Sequence, residues 1–264
     1  MTRHAVVALT VAAAVGGLTA PTALANSASA TPVPALVPVA VPADPVVTGV
    51  TVNGGKDVVV GTTERKTFTV TVRGSDDSGL YLADVDLLGP GVGFYTTDAL
   101  CETASACTTT FTVDPHLDPY NDDADLRNAN AGSWYVNTLV DTNDGASFLA
   151  EHAGAFLLKR AAKLTVNAAP EPVAKGGTIT VTGKLTRANW DTYRYAGYTG
   201  QTVALQFRPK ASDTYTTVKT LKTDGTGNLR TTVKAASDGY WRWNFAGTTT
   251  TAPKKATGDY VDVR

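Results

Sequence analysis

The chain has 264 residues, of which 43% are hydrophobic, 8% aromatic and 18% charged, and its formal net charge is −1. This length suffices for two domains of ordinary size, and beyond the N-terminal leader no apolar stretch is long enough to span a bilayer. The two cysteines have neither C-x-x-C spacing nor nearby histidines, which excludes thioredoxin-like redox chemistry and a cysteine-based metal centre.

Taken in chain order, "MTRHAVVALTVAAAVGGLTAPTALANS" has a basic start at Arg3 and His4, a small-residue apolar run to Ala20, and an Ala23-Leu24-Ala25 cleavage pattern. It reads as a secretory signal peptide over residues 1–25, so a secreted, extracellular protein is expected. Residues 26–45, "NSASATPVPALVPVAVPADP", carry a proline every few positions, which forbids a helix and favours an extended linker. Export places Cys101 and Cys107 of "LCETASACTT" in an oxidising compartment, where a disulfide pinning a hairpin tip is expected.

From Val46 to Arg160 short apolar runs alternate with polar residues: "VTGVTVN", "TFTVTVR", "ADVDLLG", "CTTTFTV", "SWYVNTLV" and "AFLLKR". From Ala162 a second series follows: "KLTVNA", "TITVTGKLT", "TVALQFR", "YTTVKTLK", "NLRTTVKA", "YWRWNFA" and "DYVDV". Period-two alternation bounded by Gly, Asp, Asn and Ser predicts an all-β chain of two immunoglobulin-like sandwiches, residues 46–160 and 161–264. The closing "GDYVDVR" looks like a last strand rather than a wall-sorting tail, so release or non-covalent retention is expected.

Two sets of residues carry a family resemblance. "VTVRGSDDSGLYLADVDL" with "GSWYVNTLVDTNDG" resembles the bacterial immunoglobulin-like pattern of an Asp-Asp-Ser-Gly corner and a Gly-x-Trp strand. "LTVNAAPEPVAKGGTITVTGKLTRANW", "VALQFRPKASDTYTTVKTLKTDGTGNL" and "DGYWRWNFAGT" resemble the tandem domain of secreted actinobacterial proteins of unknown role, some labelled calcium-binding. The resemblance implies fold and location over nearly all of the mature chain, and no activity.

The near-neutral total conceals two opposite halves. Residues 44–160 carry 17 acidic against 7 basic side chains, net −10, and residues 161–264 carry 7 against 15, net +8. Opposite fields steer the halves to different partners or to each other.

Candidate sites follow from this asymmetry. In "SDGYWRWNFAG" strand alternation puts Trp241, Trp243 and Phe245 on one face and Tyr240, Arg242 and Asn244 on the other, the pattern of a core strand. The stretch "RANWDTYRYAGYTG", residues 187–200, reads as an irregular loop. Its Arg187, Trp190, Tyr193, Arg194, Tyr195 and Tyr198 form a candidate surface for an anionic cell-wall polymer or carbohydrate, with rings to stack on sugars and guanidinium forks for acidic groups. The competing reading is that two of these aromatics plug the open end of the sandwich, since large aromatics are buried more often than displayed.

The acidic counterpart is "DPHLDPYNDDADLRNANAG", where Asp118, Asp122, Asp123 and Asp125 are an alternative calcium site. The spacing lacks the glycine and closing glutamate of an EF-hand, and Asp and Asn are also ordinary turn formers.

His116 and His152 fit no hydrolytic motif and no paired carboxylates stand out, so no catalytic residue is assigned and a hydrolase is the least favoured reading. No recognition helix is present for nucleic acid, the glycine motifs do not open helices, and no cofactor other than that alternative Ca2+ is expected. The sequence therefore predicts a secreted, non-enzymatic binding or structural protein. Its oligomeric state, and whether its two halves dock on each other, are open at this level.

Overall fold

The computed structural model describes residues 44–115 and 126–264. The signal-peptide and most of the linker reading, His116, and the aspartates Asp118, Asp122, Asp123 and Asp125 lie outside them.

The first half contains β1 (Val46–Val52), β2 (Val58–Val60), β3 (Lys66–Ser75), β4 (Leu80–Gly89), β5 (Val92–Thr103), β6 (Ala106–Val113), β7 (Gly132–Thr142) and β8 (Ser147–Arg160). They pair in the order β1-β3-β6-β5-β4-β7-β8-β2, antiparallel except for β2 on β8. The bend lies in β5. Its Val92–Leu100 stretch pairs with β4, whereas Cys101 and Thr103 pair with β6, so one strand serves both layers of the sandwich. Cys101 and Cys107 are opposite each other in the β5–β6 hairpin and are joined as a disulfide, as expected.

Alternation decides what each strand buries. In β3, Phe68, Val70 and Val72 point inward, and in β7 so do Trp134, Val136 and Val140. Trp134 stacks on Phe94 at 5.3 Å and donates its indole N–H to the Asn130 carbonyl at 2.8 Å. Gly89 makes room for it, since a Cβ there would lie 2.1 Å from the indole.

The second half contains β9 (Ala162–Leu164), β10 (Asn167–Ala169), β11 (Thr178–Asn189), β12 (Arg194–Gly197), β13 (Thr202–Pro209), β14 (Thr216–Lys222), β15 (Asn228–Lys234), β16 (Gly239–Phe245), β17 (Lys254–Lys255) and β18 (Asp259–Val261). The spine of one layer is β11: its first part pairs with β10 and β15, its last part with β9 and β12. The other layer runs β14-β13-β16, with β17 and β18 both on the far edge of β16.

Trp241, Trp243 and Phe245 are buried between the layers, as alternation requires, and Trp243 donates to the Thr182 carbonyl at 2.9 Å. The described residues are thus all-β, forming two immunoglobulin-like sandwiches in tandem. Strands β2, β5, β12 and β17 are additional to the sequence reading. Segment 187–200, read as a broken loop, instead holds the end of β11 and all of β12, joined as a hairpin.

The two halves dock, and the described residues form one compact unit. Strand β11 overshoots its own sandwich, so that Ala188 and Trp190 belong to the core of the first half. Ala188 N–H donates to the Ala161 carbonyl at 2.8 Å, and Asn128 Nδ2 to Asn189 Oδ1 at 2.8 Å. On the same seam Arg160 N–H donates to the Thr250 carbonyl and Ala252 N–H to the Arg160 carbonyl, both at 3.0 Å.

Candidate functional site

The six residues expected to form a ligand surface do not share one surface. Trp190 is 0% exposed. Its indole N–H donates to the Gly61 carbonyl at 2.8 Å and its backbone N–H to Asn128 Oδ1 at 3.0 Å, so it is a plug between the halves rather than a stacking platform.

Tyr198 is also buried, edge-on to Phe245 at 5.7 Å, with the Arg187 guanidinium stacked 3.9 Å above its ring. Tyr195 lines a cleft of about 340 Å³ beside Gly61, Glu64, Lys66 and Lys163, and Lys163 Nζ sits 3.9 Å over its ring. Burial, and secondarily the charge of Glu64, pushes the Tyr195 phenol pKa up. Tyr193 turns the hairpin with φ of +55°, and Arg194 is exposed. Trp190 and Tyr198 are thus the two plugging aromatics, because a large ring at the end of a strand that reaches a core is drawn into it.

The corner carboxylates act as turn chemistry. Asp76 accepts from Ser78 N–H at 2.8 Å and Ser78 Oγ at 2.6 Å, and Asn143 Nδ2 donates to the Ser78 carbonyl at 2.9 Å. The Thr142 hydroxyl, then Ala146 N–H, hold the Asp144 carboxyl below its ordinary pKa. No group of three or more His, Cys, Asp or Glu side chains among the described residues could hold a metal ion. His152 takes φ of +52° at a break in the β7–β8 pairing and lays its ring 4.2 Å from that of Tyr135.

The most organised surface lies on the outer face of the β13–β16 layer. Strand pairing sets Gln206 opposite Arg242, Arg208 opposite Tyr240, and Tyr240 opposite Tyr260. Tyr215, just before β14, folds over this ladder: the Arg242 guanidinium lies 3.6 Å from its ring centre and that of Arg208 5.4 Å. Arg208 also stacks 3.9 Å from Tyr240, whose ring is 5.2 Å from that of Tyr260.

Gly258 admits Tyr215, because a Cβ there would lie 2.2 Å from its hydroxyl. Arg242 Nε donates to Gln206 Oε1 at 2.9 Å and Arg208 Nη1 to the Ser212 carbonyl at 2.6 Å, which orients both planes. At the end of the row the Tyr260 hydroxyl donates to Asp238 at 3.1 Å. The Tyr260 hydroxyl, then the Asp238 charge, raises the pKa of the exposed Lys210.

Each guanidinium has five N–H donors, and stacking occupies only its faces. Gln206 and Ser212 take one donor from each guanidinium, which leaves the others for further partners. This arrangement sets two guanidinium groups against three tyrosine rings on one face. Alternation alone had placed Tyr240 and Arg242 on a polar face. Their partners Tyr215, Arg208 and Tyr260 come from distant segments, and a surplus of Tyr and Arg in the basic half was the one available signal.

No protein-family model matches the chain, and no curated protein matches it in sequence. Among solved structures it is similar to the D0-D1 domain of intimin, at 16% identity over 81% of this chain and 98% of that one, with a TM-score of 0.28. It is also similar to part of a 1.5-MDa bacterial ice-binding adhesin, at 15% identity over 82% of this chain and 66% of that one, with a TM-score of 0.29. A titin fragment matches at 12% identity over 85% of this chain and 67% of that one, with a TM-score of 0.27.

Proposed function

We propose that the chain is a secreted, non-enzymatic binding module whose basic second sandwich holds an anionic cell-envelope polymer on the outer β13–β16 face. The observation that carries this reading is the stacked row of Arg242, Tyr215, Arg208, Tyr240 and Tyr260. Arginines held flat by stacking and side hydrogen bonds lose little further freedom on binding, which favours bidentate contact with phosphate or carboxylate. The tyrosine rings add stacking area for sugar units between the charges.

The net charge of +8 on this half draws a polyanion in, while the first half, at −10, repels it and leaves one face to be used. The disulfide in the β5–β6 hairpin accords with an oxidising compartment.

Co-sedimentation with purified anionic wall polymer tests the reading. Wild-type protein should pellet with the polymer at low salt and be released as ionic strength rises, because exposed charges are screened. Arg208→Ala/Arg242→Ala should stay in the supernatant. Equal pelleting of wild type and double variant would sink the proposal.

A further inference from the structure

One end of the first sandwich carries a hollow of about 400 Å³, whose lining includes Tyr81 and Leu82 of β4, Asp141 of β7, Asn143 and Gly145 of the following turn, and Ser147 of β8. A β-bulge shapes it. Strand β4 pairs with β7 through Leu80 opposite Thr142 and Leu82 opposite Asp141, so Tyr81 is one residue in excess. In an unbroken strand Leu82 would follow Leu80 into the core, but the extra residue turns Tyr81 and Leu82 both outward before Ala83 resumes the buried series.

The bulge therefore puts an aromatic ring on display. Tyr81 is 52% exposed, and Leu100, opposite Leu82 on β5, is 64% exposed. A ring and two leucines grouped beside polar side chains form an apolar shelf with a polar rim, which marks a binding surface more than single exposed residues do.

The rim is held by the turns behind it. Asn143 Nδ2 donates to the Ser78 carbonyl at 2.9 Å and to the Gly79 carbonyl at 3.1 Å, and its backbone N–H donates to Gly79 as well at 3.0 Å. Those bonds use the donors of Asn143 and leave Oδ1 as an acceptor. The Ser147 hydroxyl donates to Asp141 Oδ1, which leaves Oδ2 for a further donor.

Acceptors beside an apolar shelf select a ligand with hydroxyl donors on its edge and C–H groups on its face, and a sugar ring has both. The net charge of −10 on this half turns uronates and phosphates away, so the sugar is a neutral one. We propose that this hollow binds a neutral sugar unit of an oligosaccharide, with Tyr81 stacked on the ring and Asp141 and Asn143 accepting from its hydroxyls. The site lies on the other half from the arginine ladder and does not rest on the polymer reading.

NMR of the tyrosine rings of the full chain tests this, in titrations with neutral trisaccharides of glucose, of mannose and of N-acetylglucosamine, and with trigalacturonate as the charged control. At least one neutral trisaccharide should shift Tyr81 saturably with a midpoint of about 1 mM or below. The shift should be insensitive to salt, because no ligand charge is screened, and Tyr215, Tyr240 and Tyr260 should stay in place. Trigalacturonate should leave Tyr81 unmoved. By calorimetry Tyr81→Ala should weaken binding at least tenfold and Asp141→Asn at least threefold, with Tm close to wild type for the exposed Tyr81. Arg208→Ala/Arg242→Ala should bind the sugar as wild type does, so loss of polymer binding and loss of sugar binding are separable. An unmoved Tyr81 with every neutral trisaccharide at roughly twenty times that midpoint, binding kept by Tyr81→Ala, or an equal Tyr81 shift with trigalacturonate would overturn the proposal.

Discussion

Trp190→Ala is the sharpest perturbation of the docked arrangement. The side chain is fully buried, lies in the core of the first half although it belongs to the second, and satisfies the Gly61 carbonyl. Truncating a buried tryptophan costs about 3–5 kcal/mol through lost transfer energy and a residual cavity. The abandoned Gly61 carbonyl adds roughly 1 kcal/mol unless water reaches it.

For a chain of this size roughly 2–4 °C is lost per kcal/mol, so the combined loss of about 4–6 kcal/mol should lower Tm by about 8–24 °C. Because Trp190 is a fully buried side chain of the second half within the core of the first, the loss should also uncouple the halves. Calorimetry should then resolve two transitions where the wild type shows one. Trp190→Phe keeps most of the apolar contact but leaves Gly61 unpaired, and should cost about 1–2 kcal/mol without splitting the transition. A Trp190→Ala protein that melts in a single transition within a few degrees of wild type would refute the reasoning.

Other outcomes follow from single residues. Gly258→Val should expel Tyr215 from the arginine ladder, costing about 0.5–1 kcal/mol per lost stacking contact, and should weaken polymer binding while far-UV circular dichroism stays unchanged. The N–H groups of Thr226 and Asn228 hold the Asp224 pKa at about 2, below its ordinary 3.8. A depressed folded pKa gives stability that is complete above the unfolded value and lost as pH falls through the folded one. Carboxyl NMR should therefore find the Asp224 midpoint near 2, and Asp224→Ala should lower Tm at pH 7 but not below pH 2. Reducing Cys101–Cys107, whose sequence separation is 6, should cost about 2 kcal/mol by loop-closure entropy, read from denaturant midpoints with and without reductant.

Much of the fold was legible because strand alternation is a local signal. Trp241, Trp243 and Phe245 are buried and Arg242 faces out, as a period of two requires. The cysteine hairpin was legible because six residues leave it few geometries.

The site was not legible in the same way. The sequence offers Trp190 both as a displayed ring and as a plug, because nothing local reveals that β11 outruns its sandwich and enters a neighbouring core. The tyrosine–arginine ladder depends on the β13–β16 register, which joins segments more than thirty residues apart, and on the room Gly258 leaves for Tyr215. Charge bookkeeping identified the basic half but could not choose between its faces.

The most direct measurement is an NMR titration of tyrosine ring signals with a soluble fragment of the anionic polymer. Shifts of Tyr215, Tyr240 and Tyr260, with Tyr81 and Tyr95 of the acidic half unmoved, are predicted. Shifts confined to Tyr193 and Tyr195, or no shifts at polymer concentrations that retain the protein, would contradict the assignment of the β13–β16 face.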